Sequence, residues 1–232
     1  MTKPIFAPTP QPMLPIHGDT QVVPVGRIFC VGRNYEEHAK EMGQVIDREK
    51  PFYFTKSTSA IVHSGATIPY PPGTTNFHYE MELVAVIGTP AFRVAKDDAL
   101  KHVYGYACGL DMTRRDLQLS ERAKQRPWDL GKDVEQSAVV SAVMPAAKCG
   151  HPASGLIEMR QNGVAKQSAD LATMVWSVPE IIAHLSQFYH LAPGDLIFTG
   201  TPAGVGPVQP GDVLAGSIAK VGEIALTIGK AE

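Results

Sequence analysis

From residue 27 onward, short apolar runs alternate with glycine- and proline-rich punctuation, and few stretches carry a helical period. Residues 27–32 (RIFCVG) predict a strand ended by glycine. Residues 79–87 (YEMELVAVI) form the clearest strand pattern in the chain, and 103–110 the next. Further strands are expected at 52–55, 60–63, 138–144, 155–160, 196–199, 213–218 and 224–228, with Asn162–Gly163 as a hairpin turn. Helices are expected at 35–42, 114–126 and 178–191. Asn34 caps the first, with Glu37 three residues on, and the last has Pro179 in its opening turn and an apolar face of Ile181, Ile182, Leu185 and Phe188. The polar stretch 44–50 reads as a mobile loop or lid. Many short strands with about three helices predict a β-rich α+β fold, and the lack of repeated β-α-β alternation excludes a Rossmann-like sheet.

Residues 1–24 read as an extended arm, because Pro4, Pro8, Pro10, Pro12, Pro15 and Pro24 remove ladder donors. Residues 25–232 read as one domain. At 232 residues and 44% hydrophobic, the chain is long enough for a sizeable core. A net charge of −2, with scattered basic residues, argues against nucleic-acid and anionic-membrane partners. Cys30, Cys108 and Cys149 are widely spaced and odd in number, which suits reduced, buried thiols. No apolar run approaches a membrane span or a signal segment, so a cytoplasmic location is expected.

Candidate chemistry begins on the strand at 79–87. Residues two apart on a strand share a face, so Glu80 and Glu82 project together, ahead of Val84 and Val86; Met81, Leu83, Ala85 and Ile87 take the other face. A strand apolar on both faces is normally covered on both. Two carboxylates entering such a place repel and lose hydration, and a divalent cation relieves both costs. Asp111, ending the next strand, could reach the same point, and an all-oxygen set suits Mg²⁺, Mn²⁺ or Ca²⁺ rather than zinc. Spacing alone leaves a solvated strand end as the other reading. His78 shares the parity of Glu80 but reads as a strand-end histidine, not a ligand. His38 and Glu41, three apart on a helix, are neighbours, and a carboxylate beside an imidazole makes it a base toward water. An incidental surface pair is the alternative. Residues 199–206 (TGTPAGVG) lack the ending of a phosphate loop and read as a tight turn bringing Thr201 to a ligand.

Taken in order, G-R-N-Y…H-x-x-E at 32–41, F-x-x-E-x-E-L at 77–83, D-M-T-x-R-D-x-Q at 111–118, P-W-x-x-x-K at 127–132 and G-D-x-I-x-T-G-T-P-x-G-V-G at 194–206 resemble the fumarylacetoacetate hydrolase superfamily. The resemblance implies a mixed β-sandwich roll with a few peripheral helices, usually a homodimer. It implies a Mg²⁺ or Mn²⁺ site at Glu80, Glu82 and Asp111, the acid–base pair at His38 and Glu41, and an active-site lysine at Lys132. Pocket residues fall on Arg33, Lys56, Arg115, Gln118 and Thr201. A remote substrate carboxylate needs a cation, for which Arg33 and Lys56 are the candidates, with a solvated surface position as the other reading of each. The implied activity is metal-dependent hydrolysis of a carbon–carbon bond in a 2,4-dioxo acid, nearest to the acylpyruvate-cleaving members and to fumarylpyruvate as substrate. Oxaloacetate decarboxylation or tautomerisation, hydroxymuconate-type isomerisation, and non-catalytic binding of a metal or 2-oxo acid stay open as alternatives.

Overall fold

The computed structural model describes residues 3–43 and 48–232, so residues 44–47 of the expected lid lie outside the described residues. Among the described residues the strands build a large sheet of eight, a sheet of five, a sheet of three and a two-stranded ribbon. The middle of the large sheet is the antiparallel pair Met81–Ile87 and Val103–Asp111, flanked by Leu196–Phe198 and then Ile28–Gly32 on one side and Ala138–Val140 on the other.

Its two faces explain the doubly apolar central strand. Met81, Leu83, Ala85 and Ile87 pack into a core shared with Ile157, Leu214 and Leu226 of the five-stranded sheet and with Ile181, Ile182 and Leu185 of the helix Val178–Leu185. Val84 and Val86 pack into a second core with Cys30, Ala107, Phe198, Leu14 and Val23. The last two residues belong to the ribbon Met13–Pro15 and Val22–Pro24, so the end of the proline-rich segment closes this second face of the sheet. Leu14 opposite Val23 is the ribbon pair in which neither residue is proline, which is how a proline-rich segment still forms a ladder.

Several elements are shorter than expected. The strand pattern at 79–87 breaks at Glu80: Phe77–Tyr79 belongs to the three-stranded sheet and Met81–Ile87 to the large one. The first helix is Glu36–Glu41, with Tyr35 rather than Asn34 at its N-cap. Asn34 is fully buried and its amide is used elsewhere, as described below. The last long helix ends at Leu185, and Phe188 is 68% exposed, because the bond from its N–H to Leu185 O tightens the final turn and swings the ring off the apolar face. That helix carries a capping box between Ser177 and Glu180. No helix among the described residues is long and apolar enough to cross a membrane.

Candidate metal and acid–base site

Strand register brings the acidic side chains together. Met81 pairs with Leu110 and Glu82 with Gly109, and the Asp111 N–H donates to Glu80 O at 2.9 Å, so Asp111 lies opposite Glu80. Opposed residues of an antiparallel pair share a face, and Glu82 is one period along it. Glu80, Glu82 and Asp111 are 5%, 2% and 0% exposed. One carboxylate oxygen from each lies within 4.8 Å of the others. Oxygens bound on opposite sides of one ion at about 2.0–2.6 Å are roughly 4–5 Å apart, so the spacing fits a shared cation.

Three cations surround these three acids. Lys132 Nζ donates to Glu80 Oε2 and Asp111 Oδ2 at 2.7 Å each and to Thr113 Oγ1 at 2.8 Å, which engages all its protons. Arg115 Nη2 donates to Glu80 Oε1, and Nη1 to Gln118 Oε1 at 2.5 Å. Lys56 departs from the role expected of it. It is buried behind the cluster, with Nζ 2.9 Å from Asp111 Oδ1 and donating to Ser137 Oγ at 2.8 Å and Met112 O at 3.2 Å, so it cannot reach a remote substrate carboxylate. Its contact leaves Asp111 Oδ1 buried without an aligned hydrogen bond. Three buried carboxylates converging in this way are a donor set suited to a hard cation.

The local charges act unequally. Burial, then Asp111 and Glu80, push the Glu82 carboxyl well up, and the Gly200 N–H at 2.7 Å only partly offsets them. Burial also raises Glu80, but Lys132 and Arg115 outweigh it and hold that carboxyl low. His78 turns to Asn76 Oδ1 at 2.8 Å and stays outside the cluster; burial and Arg115 lower its imidazole to about 4.

The expected base faces the same pocket. His38 Nδ1 meets Glu41 Oε2 at 3.1 Å, which leaves Nε2 as the other ring nitrogen, and His38 lines a pocket of about 40 Å³ with Glu80, Glu82, Gln118, Lys132 and Thr201. Glu41 is held in turn by the Gly204 N–H at 3.2 Å. Burial raises its carboxyl, but the bonds from His38 and Gly204 leave it lowered overall. Thr201 does not offer a free hydroxyl: it donates to Met81 O and accepts from Gln167 Nε2, both at 2.8 Å. Gln118 accepts from Arg115 through its carbonyl, which leaves its amide protons for the pocket.

Gly204 has φ +97°, and a Cβ there would lie 2.0 Å from Lys166 O. Gly204→Ala is therefore expected to cost about 1–3 kcal/mol of stability and to weaken catalysis through Glu41. Denaturant unfolding beside a kinetic assay checks both.

Sequence reasoning missed the links between loops. Asn34 Nδ2 donates to Thr199 O at 2.7 Å and Trp176 O at 2.9 Å, and its Oδ1 accepts from Trp176 N–H at 2.7 Å. It thus ties the loop before the first helix to the TGTPAGVG turn, a job that its capping signature concealed. Arg122 and Trp128, which also line the pocket, were missed as well. Arg122 had a usable signal, since it follows Gln118 by four residues and Arg115 by seven, on the same helix face.

The family model for the fumarylacetoacetate (FAA) hydrolase C-terminal region matches residues 27–229. The chain is 54% identical over 193 residues to a fumarylpyruvate hydrolase of a Ralstonia species, covering 82% of this chain and 100% of the relative. It is 39% identical over 191 residues to the Homo sapiens oxaloacetate tautomerase FAHD1, covering 82% of this chain and 86% of that protein. The crystal structure of the Pseudomonas aeruginosa fumarylpyruvate hydrolase in complex with Mn²⁺ and pyruvate matches with a TM-score of 0.95 at 45% identity, covering 98% of this chain and 100% of that one. The strand-rich α+β roll expected from the sequence is thus the observed fold, and the chain belongs to the fumarylacetoacetate hydrolase family.

Proposed function

We propose that this protein is a carbon–carbon bond hydrolase that cleaves a 2,4-dioxo acid, with fumarylpyruvate giving fumarate and pyruvate, and that it works with Mg²⁺ or Mn²⁺ held by Glu80, Glu82 and Asp111. The observation that carries this reading is a carboxylate-oriented histidine sharing one pocket with the acidic cluster. The relative crystallised with Mn²⁺ and pyruvate supports it, since pyruvate is the product common to all acylpyruvates.

A bound divalent cation would supply a Lewis acid for the 2-oxo acid end and hold the charge of a departing enolate. The chain's own residues do the rest. His38, oriented by Glu41, takes a proton from water, and the hydroxide adds to the C4 carbonyl. The Gln118 amide is the donor left free to meet the oxygen that becomes negative there. Lys132 acts instead as a positioning group, keeping Glu80 and Asp111 together. When the C3–C4 bond breaks, its electron pair stays with C3, which takes the proton held by His38; the acyl half leaves as a carboxylic acid, which gives its proton to solvent and becomes the carboxylate.

A second reading is favoured by the relatives named oxaloacetate tautomerases, because keto–enol exchange of a 2-oxo acid passes through the same enolate. Activities on fumarylpyruvate, acetylpyruvate and oxaloacetate, compared with Mn²⁺ present, separate the two. The hydrolase reading expects the highest kcat/KM on an acylpyruvate. Faster turnover of oxaloacetate would overturn it in favour of tautomerisation, and oxalate binding without turnover of any of them would leave a binding protein. Exhaustive chelation is expected to abolish hydrolysis, and added Mn²⁺ or Mg²⁺ to restore it; activity that survives chelation would sink the metal-dependent mechanism.

A further inference from the structure

The cations at the acidic cluster are all committed: Lys132, Lys56 and Arg115 each hold carboxylates of the protein. Fumarylpyruvate carries a second carboxylate at the far end of its acyl chain, so its partner must come from elsewhere.

Two guanidinium groups stand where that end would emerge. Arg33 and Arg122 line the inner pocket and also an adjoining groove of about 470 Å³, and Phe54 and Trp128 line both as well. Arg122 occupies the same face of the helix Arg115–Ala123 as Arg115 and Gln118, one to two turns farther from the cluster. Arg33 is fixed from the other side. Its backbone sits at φ +59°, next to the tethered Asn34, and its guanidinium lies 5.6 Å from the Phe52 ring centre and 5.9 Å from that of Trp128. A non-glycine residue in the left-handed region is held there by its surroundings.

Neither guanidinium makes an ion pair or a side-chain hydrogen bond with another described residue, whereas the nearby Arg126 reaches Glu121 at 4.0 Å. Arg33 is held below its ordinary pKa by burial and by the charge of Arg122. An anion between two such groups relieves their repulsion, and planar guanidinium groups suit a carboxylate. The aromatic walls of Phe52, Phe54 and Trp128 suit a flat, conjugated chain leading to it.

We propose that Arg33 and Arg122 together receive the remote carboxylate of a dicarboxylic acylpyruvate and set the preference for it over monocarboxylic analogues. The proposal rests on the hydrolase reading above. The shape of the site assigns to Arg122 a specificity role at the pocket mouth, distinct from that of the buried Arg115.

The test compares kcat/KM for fumarylpyruvate and acetylpyruvate in wild type, Arg33→Gln, Arg122→Gln and the double variant, with Mn²⁺ present. Each single change is expected to lower the fumarylpyruvate-to-acetylpyruvate ratio about tenfold to a hundredfold, mainly through KM, as loss of a charged hydrogen bond implies. Because both groups hold one carboxylate, the double variant should lose less than the product of the singles. Arg122→Lys should recover part of the ratio, which a purely structural role would not require, and thermal midpoints close to wild type would exclude misfolding as the cause. A ratio that stays within roughly twofold of wild type in both single variants would overturn the proposal while leaving the hydrolase reading intact. A wild-type protein that cleaves neither substrate would overturn both.

Discussion

Glu82→Gln is expected to remove turnover while leaving the cation-free protein at least as stable as wild type. The sign follows from the surroundings of Glu82. Its carboxyl is pushed well up by burial, Asp111 and Glu80, so its ionised form is less favourable in the fold than in the unfolded chain. An acid raised in this way contributes stability at low pH and loses it as pH rises from the unfolded value toward the folded one. As pH rises, ionisation of this side chain therefore weighs on the cation-free fold. Glutamine removes the charge and keeps an oxygen for the Gly200 N–H. Turnover should fall by about 10³-fold or more, because a catalytic cation contributes several kcal/mol. Saturating Mn²⁺ should raise the wild-type unfolding midpoint, by about 2.7 kcal/mol of stabilisation at a hundred times Kd, and should raise that of the variant far less. Thermal unfolding with and without Mn²⁺, beside an activity assay, reads all three effects. A variant that loses stability as a core substitution would, or keeps the full Mn²⁺ shift, would remove Glu82 from the proposed site.

His38→Ala should lower kcat about 10²–10⁴-fold, the usual contribution of general-base catalysis, and keep the Mn²⁺-dependent shift in midpoint. Glu41→Gln should lose less, since a glutamine still accepts from the Gly204 N–H but no longer presents a full negative charge to the imidazole. Steady-state kinetics on the variants loaded with Mn²⁺ decide the matter. Loss of cation binding in His38→Ala would mean that the histidine belongs to the acidic cluster, and unchanged kcat would mean that water is activated by another group.

How far each residue was legible depended on how local its signal was. Glu80 and Glu82 could be paired from strand parity, and His38 with Glu41 from helical spacing, because both relations are set within a few residues. Coverage of the strand at 81–87 on both faces also followed from its alternation of apolar side chains, and both cores are present. Lys56 and Asn34 were misread for the opposite reason. A lysine at the end of a strand gives no hint that Asp111 and Ser137 wait behind it, and an asparagine before a helix has the same signature whether it caps that helix or bridges Trp176 and Thr199.

By itself, then, the order of apolar and polar residues determined a strand-rich chain, two acids on one strand face and a histidine with its carboxylate neighbour, since dihedral preference and side-chain period act over short distances. The tertiary structure decided which end of Val103–Asp111 meets Glu80, which cations are consumed by the cluster and which, among the described residues, stay unpaired at its mouth. Those outcomes depend on register and packing between segments far apart in the chain, as between Glu41 and Gly204 at a separation of 163, and no local pattern encodes them.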